Sequence, residues 1–242
     1  MQELRIQTEA DDLATPVAPC ALLVDKPKGI SSFGVVKKVR WALQEKKVGH
    51  AGTLDPMATG LLILLLGREA TRQQDRFMGL PKVYTGTVRL GQTTASYDAE
   101  TPIEASADAS SILPSDIELA CEPLTGEIQQ VPPMYSAIKK GGERLYKKAR
   151  RGESVKIEAR LTTVYAFDVL DVRDGEGPTQ DVDIRVECSK GTYIRSLAHD
   201  LGAALGVGGH LVALRREAIG PFEVGEAYEL ARLAAFGEAH RG

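Results

Sequence analysis

In GHAGTLDPMATG, residues 49 to 60, three glycines surround one carboxylate, Asp55. A loop of this kind can hold one acid near a ligand. The glycines matter because they allow backbone conformations that a side chain would strain, so that the acid can approach a ligand. An aspartate before proline also has a plainer reading, a turn in which Asp bonds its own backbone and Pro fixes φ. Spacing alone leaves both readings open, the turn being the commoner. Tyr84 lies in the alternating segment KVYTGTVRLGQ, where a lone tyrosine is more often a half-buried packing residue with its hydroxyl at the edge. Arg195, in SKGTYIRSLAHDLGAALG, falls at a helix start, the unfavourable end of the dipole for a cation. That placement is costly unless a carboxylate meets it.

Certain elements must position these groups. Ala21 to Asp25 reads as a short strand, and Ser31 or Ser32 caps a helix whose inward positions are Val35, Val36, Val39, Trp41 and Leu43, with Lys37, Lys38 and Arg40 mostly outward. Leu61 to Leu66 is an unbroken apolar run, the pattern of a buried strand. After a polar helical segment, GREATRQQDRFMG, residues 82 to 92 alternate as a strand. Pro114 to Leu124 reads as an acidic helix, and Arg144 to Arg151 as a basic one with Leu145, Tyr146 and Ala149 inward. Val155 to Val172 and Val182 to Cys188 alternate like strands. Ile194, Leu197, Ala198 and Leu201 share one helical face, and Tyr228 to Phe236 forms a closing helix.

The chain has 242 residues, enough for one large domain or two small ones. Its longest apolar run is six residues, far short of a membrane span, and the acidic start MQELRIQTEADDL does not resemble a signal peptide. The expectation is a cytoplasmic protein with no membrane association. Cys20, Cys121 and Cys188 have no paired spacing and read as reduced, buried thiols, and the four histidines form no ligand pattern, so no metal is implied. A net charge of −3 argues against nucleic-acid binding, but the distribution argues for it. Lys26 to Lys47 carries seven basic residues against one acid, and Lys139 to Arg160 nine against three, whereas Asp98 to Glu127 has eight acids and no base. Such segregation builds local positive fields that matter more than net charge for a polyanion, although two solvated helical faces would read the same way.

Taken in full, the stretch His50, Gly52, Thr53, Leu54, Asp55, Pro56, Ala58, Thr59, Gly60 resembles the catalytic motif of the TruB family of tRNA pseudouridine synthases. DKPKGISS resembles that family's DKPxGxSS opening. Tyr84, Leu90, Gly91, Thr94 and Asp98 fit its KxYxxxxxLGxxTxxxDxxG pattern, with Glu100 and Thr101 where the family usually has Gly. Gln130 to Arg150 resembles QxPPxYSAxKxxGxxLYxxAR, residues 190 to 202 resemble KGTYIRSLAxDLG, and VGGHLVALRREAIGPF resembles GxGAHLxxLRRxxxGPF. GREATR is one residue longer than the family's usual GxATK or GxATR.

The resemblance implies a mixed α+β pseudouridine synthase fold, with a largely antiparallel central sheet, flanking helices and a central cleft. It implies a catalytic domain over residues 20–242 with no appended C-terminal RNA-binding domain, and the polar, acidic composition of residues 1–19 reads as a flexible leader. Asp55 matches the family's nucleophile, Arg195 its guanidinium partner and Tyr84 the active-site tyrosine, which stacks on the target base and is the candidate for proton abstraction. His50, Tyr193 and Leu214 are implied around the extruded base, and Arg72, Lys139, Arg144 and Lys147 as RNA contacts. The implied reaction isomerises uridine 55 in the T-loop of tRNA to pseudouridine with no cofactor, in a monomer without an obligatory protein partner. Either covalent attack by Asp55 or a glycal route suits this residue set. Two other classes stand beside it: a tRNA-folding chaperone, which needs no Asp55, and a glycoside-processing enzyme using Asp55 and Asp98 as paired acids.

Overall fold

The computed structural model describes residues 4–11 and 18–240. The chain forms two compact units, residues 1–84 with 215–242 and residues 85–214. Both boundaries fall inside strands, Lys82–Leu90 and Gly209–Ile219.

The first unit is built on two strands, Cys20–Lys26 and Thr59–Leu66, paired antiparallel from Cys20↔Leu66 to Lys26↔Gly60. Both faces of this ladder are covered, which is why Leu61 to Leu66 needs no polar alternation. On one face Leu22, Val24, Leu62 and Leu64 pack with Val35, Val36 and Val39 of the helix Ser32–Ala42 and Leu230 and Leu233 of the helix Leu230–Ala239. On the other, Leu23, Leu61, Ile63 and Leu65 pack with Ala70, Phe77 and Ile219. Val48–Ala51 pairs antiparallel with Thr59–Leu66, whereas Arg215 and Arg216 pair parallel with Thr59 and Gly60. The sheet is therefore mixed, with further parallel pairings by Arg5–Gln7 and Tyr228–Glu229 on Cys20–Lys26.

Two sequence expectations change here. Part of the presumed flexible leader, residues 4–11, is built into the unit: Arg5–Gln7 is a strand, Leu4 is buried, and the Tyr228 hydroxyl donates to the Asp11 carbonyl oxygen at 2.7 Å. Residues 1–3 and 12–17 of that leader lie outside the described residues. Trp41, expected inward, is 39% exposed. The buried stripe of its helix runs through Ser32, Val35, Val36, Val39 and Ala42, and a residue two places beyond Val39 points roughly 200° away from it. The cap resolves to Ser31, whose side chain accepts from the Gly34 N–H at 3.0 Å.

The second unit carries an antiparallel ladder in which Arg160–Asp174 lies between Gly126–Gln130 and Gln180–Cys188. Regular pairing begins at Arg160, not Val155, because Arg160 faces Gln130, and the following Pro132 and Pro133 have no N–H to extend the ladder. Gln180–Cys188 alternates strictly, with Val182, Ile184, Val186 and Cys188 inward. The helix Ile194–Ala204 buries Ile194, Leu197, Ala198 and Leu201.

All three cysteines are free and buried, and burial pushes the Cys20 thiol up to about 11 and that of Cys121 to about 12. No helix among the described residues is long and apolar enough to cross a membrane.

Gly60 sets the close approach of the parallel pair. Its φ is +101°, and a Cβ there would lie 2.3 Å from the Arg216 carbonyl oxygen. Gly60→Ala should therefore lower stability by at least about 2 kcal/mol, read as a shifted urea midpoint against wild type.

Candidate active site

Asp55 is half-buried, in a loop held by its backbone on both sides. Just before it, the buried Ser32 hydroxyl donates to the Leu54 carbonyl oxygen at 3.0 Å and accepts from the Leu54 N–H at 2.8 Å. Just after it, the Pro56 carbonyl oxygen accepts from the Gly29 N–H at 2.8 Å, and the Ala58 N–H donates to the carbonyl oxygen of Asp55 itself at 3.1 Å. The turn reading of the sequence is thus real, and the backbone on both sides of Asp55 is held.

Two buried cations complete this support. The Lys26 ammonium donates to the carbonyl oxygens of Pro27 and Ile30 at 2.9 and 2.8 Å, and reaches that of Pro56 at 3.4 Å. Arg216 is 1% exposed; its Nε donates to the Leu61 carbonyl oxygen at 2.7 Å and its guanidinium to that of Gly52 at 3.2 Å. Converging carbonyl dipoles are the available compensation for burying such charges. Next to it, Arg215 makes a two-point contact with Asp25, at 2.7 and 3.1 Å. Motif matching had singled out none of these as supports of the loop.

His50 is half-buried, its backbone carbonyl accepting from the Gln74 side chain at 3.0 Å. Burial, helped by the nearby Arg216 charge, holds its imidazole below the ordinary value. Tyr84 is half-buried on its strand, and Arg72 is exposed at the end of the short helix Arg68–Thr71.

In the second unit Arg195 is 4% exposed, and the carboxylate it meets there is Asp98, itself fully buried, at 3.4 Å. Its guanidinium also donates to the carbonyl oxygens of Ser96 at 3.0 Å and Tyr135 at 2.9 Å. Asp98 is held in turn, accepting from the Ser96 hydroxyl at 2.5 Å and the Glu100 N–H at 2.9 Å. This contact supplies the compensation that a buried arginine in a first helical turn requires. It also gives Asp98 a structural task distinct from that of a second catalytic acid.

One turn further along the same helix, His199 stacks on Tyr97 with ring centroids 3.9 Å apart and planes 11° apart. Tyr97 has φ +62°, a left-handed conformation rare for an aromatic residue. Residues 96 to 98 are thus gripped by two side chains of one helix, Arg195 on Ser96 and Asp98, and His199 on Tyr97. Gln130 fixes the start of that helix, accepting from the Tyr193 N–H at 2.8 Å and donating to the Tyr193 carbonyl oxygen at 3.1 Å. Ser196 donates to the Val131 carbonyl oxygen at 2.8 Å. The QxPPxYSA segment is thereby bonded to the helix start. Tyr193 is half-buried and Leu214 buried, whereas Lys139, Arg144 and Lys147 are all exposed.

Residues 40–194 match the family model described as TruB family pseudouridylate synthase (N terminal domain), and residues 195–240 that of the tRNA pseudouridylate synthase B C-terminal domain. Among curated proteins, the chain is 51% identical over 214 residues to "tRNA pseudouridine synthase B" of Arthrobacter sp. (strain FB24), covering 88% of this chain and 70% of that one. It is 52% identical over 212 residues to the protein of the same name from Corynebacterium efficiens, covering 88% and 71%. Among solved structures, a chain of a Cbf5-Nop10-Gar1 complex aligns with a TM-score of 0.69 at 30% identity, over 96% of this chain and 59% of its own length. A chain of an H/ACA RNP bound to a substrate RNA containing 2'-deoxyuridine gives 0.65 at 29% identity, over 89% and 52%. The chain thus spans only half to three-fifths of these two solved chains, with which it shares the α+β class.

Two outcomes test this geometry. Asp98→Asn keeps the size of the side chain but removes the negative charge 3.4 Å from the buried Arg195, and should cost about 3 kcal/mol in urea unfolding. For His50, whose folded value lies below the ordinary one of about 6.5, the unfolded chain binds more protons between those two values. Stability should therefore fall as pH drops through that window and level off below it. His50→Gln should remove this part of the slope, measured as urea midpoints from about pH 7 down to about pH 5; buried His210, also lowered, keeps a remainder.

Proposed function

The chain belongs to the TruB family of pseudouridylate synthases, and on that premise we propose that it converts uridine 55 in the T-loop of tRNA to pseudouridine with Asp55 as the nucleophilic acid. The observation that carries this reading is the loop itself: Ser32, Lys26, Gly29 and Arg216 fix the backbone from Gly52 to Pro56 and so aim one carboxylate. The names of the relatives supply the tRNA.

The reaction breaks the bond between C1′ and N1, turns the base and joins C1′ to C5. Substrate and product are isomers: the proton lost from C5 is balanced by one gained at N1, and no external reactant is consumed. Asp55 offers a carboxylate that can bond to C1′ or offset its positive charge. Family resemblance makes Arg195 its guanidinium partner, holding the acid ionised and in one rotamer. Tyr84 stacks on the target base and takes the C5 proton.

Family resemblance assigns His50, Tyr193 and Leu214 to the extruded base. A neutral His50, which its lowered pKa favours, can exchange hydrogen bonds with uracil without placing a charge beside it. Arg72, Lys139, Arg144 and Lys147 are exposed cations suited to phosphates of the T-arm. Gripping the arm offsets the cost of unstacking one base, on the order of a few kcal/mol. No cofactor enters the scheme, and it is assigned to a cytoplasmic monomer.

Pseudouridine mapping on a tRNA transcript tests this reading. Wild type should modify position 55, and Asp55→Asn should lose at least roughly a thousandfold in single-turnover rate while still binding tRNA. Equal product from both would reject Asp55 and favour a folding chaperone. Arg195→Ala should lose turnover far more than tRNA affinity; equal losses would make Arg195 a phosphate contact instead.

A further inference from the structure

The outward face of the helix Ser32–Ala42 has no part in the fold described above. Its buried stripe is filled by Val35, Val36, Val39 and Ala42, yet Phe33 is 53% exposed. Phe33, Lys37 and Arg40 fall at i, i+4 and i+7, on one side of the helix. The Lys37 ammonium stands 5.2 Å from the centroid of the Phe33 ring, and the Arg40 guanidinium carbon 6.0 Å. The Arg40 guanidinium is anchored, donating to the Val48 carbonyl oxygen at 2.7 Å. There is no acid between Ser32 and Ala42, so the stripe presents cations without intrinsic neutralisation.

An exposed ring flanked by two cations, one of them anchored, matches the chemistry of a single-stranded nucleotide, which offers a flat base for stacking and a phosphate for pairing. The position agrees with this. Ser32, the neighbour of Phe33, is bonded to Leu54, the neighbour of Asp55, so the ring belongs to the same rigid block as the candidate catalytic loop. We propose that the Phe33–Lys37–Arg40 stripe receives an unpaired nucleotide of the substrate RNA, its base on Phe33 and its phosphate on Lys37. This rests on the tRNA-modification reading and adds a contact that the motif residues do not include.

The alternative occupants are a second copy of this chain and none at all, the Phe33–Lys37 pair then serving only to steady the helix. The test measures binding of a fluorescent T-arm stem-loop, and of a fully paired duplex of equal length, by wild type, Phe33→Ala, Phe33→Trp and Lys37→Ala, with melting temperature and sedimentation for each. Phe33→Ala should weaken stem-loop binding about tenfold and leave duplex binding near wild type, with Phe33→Trp restoring it. Lys37→Ala should weaken stem-loop binding and reduce the salt slope by about one. Stem-loop affinity unchanged in Phe33→Ala, with only its melting temperature lowered, would overturn the proposal in favour of a helix-steadying pair. Equal weakening on stem-loop and duplex, or a changed oligomeric state with intact RNA affinity, would also overturn it. The two readings fail separately: a wild type that binds the stem-loop through Phe33 but makes no pseudouridine sinks the isomerase alone, whereas normal modification with unaltered binding by both alanine variants sinks this surface alone.

Discussion

Buried cations ringed by backbone carbonyl oxygens are the constraint on which the candidate site depends. Lys26 and Arg216 in the first unit, and Arg195 in the second, each lie away from water and donate to backbone carbonyl oxygens. A charge in such a place is tolerated only when dipoles or a counter-ion face it, so each cation dictates where several loops must run. For Lys26 and Arg216 those loops flank Asp55; for Arg195 they are the turn at Ser96 and the segment at Tyr135. The chemistry of lysine and arginine divides the work. The ammonium collects carbonyls converging on one point, whereas the guanidinium fork spans groups that lie apart, as Arg216 does between Leu61 and Gly52.

The same economy governs the ionisable groups around these cations. Asp98 meets Arg195 in the interior and is locked by the Ser96 hydroxyl and the Glu100 N–H, so its carboxylate is committed to architecture. His50 lies near Arg216 in a half-buried place, and both influences favour its neutral form. Exposed charge is left to other segments: Lys37, Lys139, Arg144 and Lys147 face solvent, and a chain with a net charge of −3 still offers a polyanion discrete basic surfaces.

Much of the local structure was legible. Leu61 to Leu66 read as a buried strand, and the serines before Phe33 announced a capped helix. Trp41 was misplaced because its hydrophobicity was read in place of its phase: Ala42, not Trp41, continues the stripe set by Val35 and Val39. The polar composition of residues 4–11 suggested a loose leader, but an edge strand needs only backbone partners and a few apolar anchors, which Cys20–Lys26 and the buried Leu4 provide. Arg195 showed the reverse. Helix phase marked it as expensive and in need of a carboxylate, and could not say which.

By itself the sequence determined the elements, through apolar period, caps and prolines, and its long motif resemblance proposes an acid, a tyrosine and an arginine for the site. Those signals are local, because the next few residues decide whether a helix, strand or turn forms. Tertiary structure alone decided that Lys26 and Arg216 brace the Asp55 loop, that Asp98 answers Arg195, and that His199 lies flat on Tyr97. Each of these is a contact between segments far apart in the chain, and it forms only once folding has excluded water, because a buried charge then needs carbonyls or a counter-ion and two rings can bury their faces against each other.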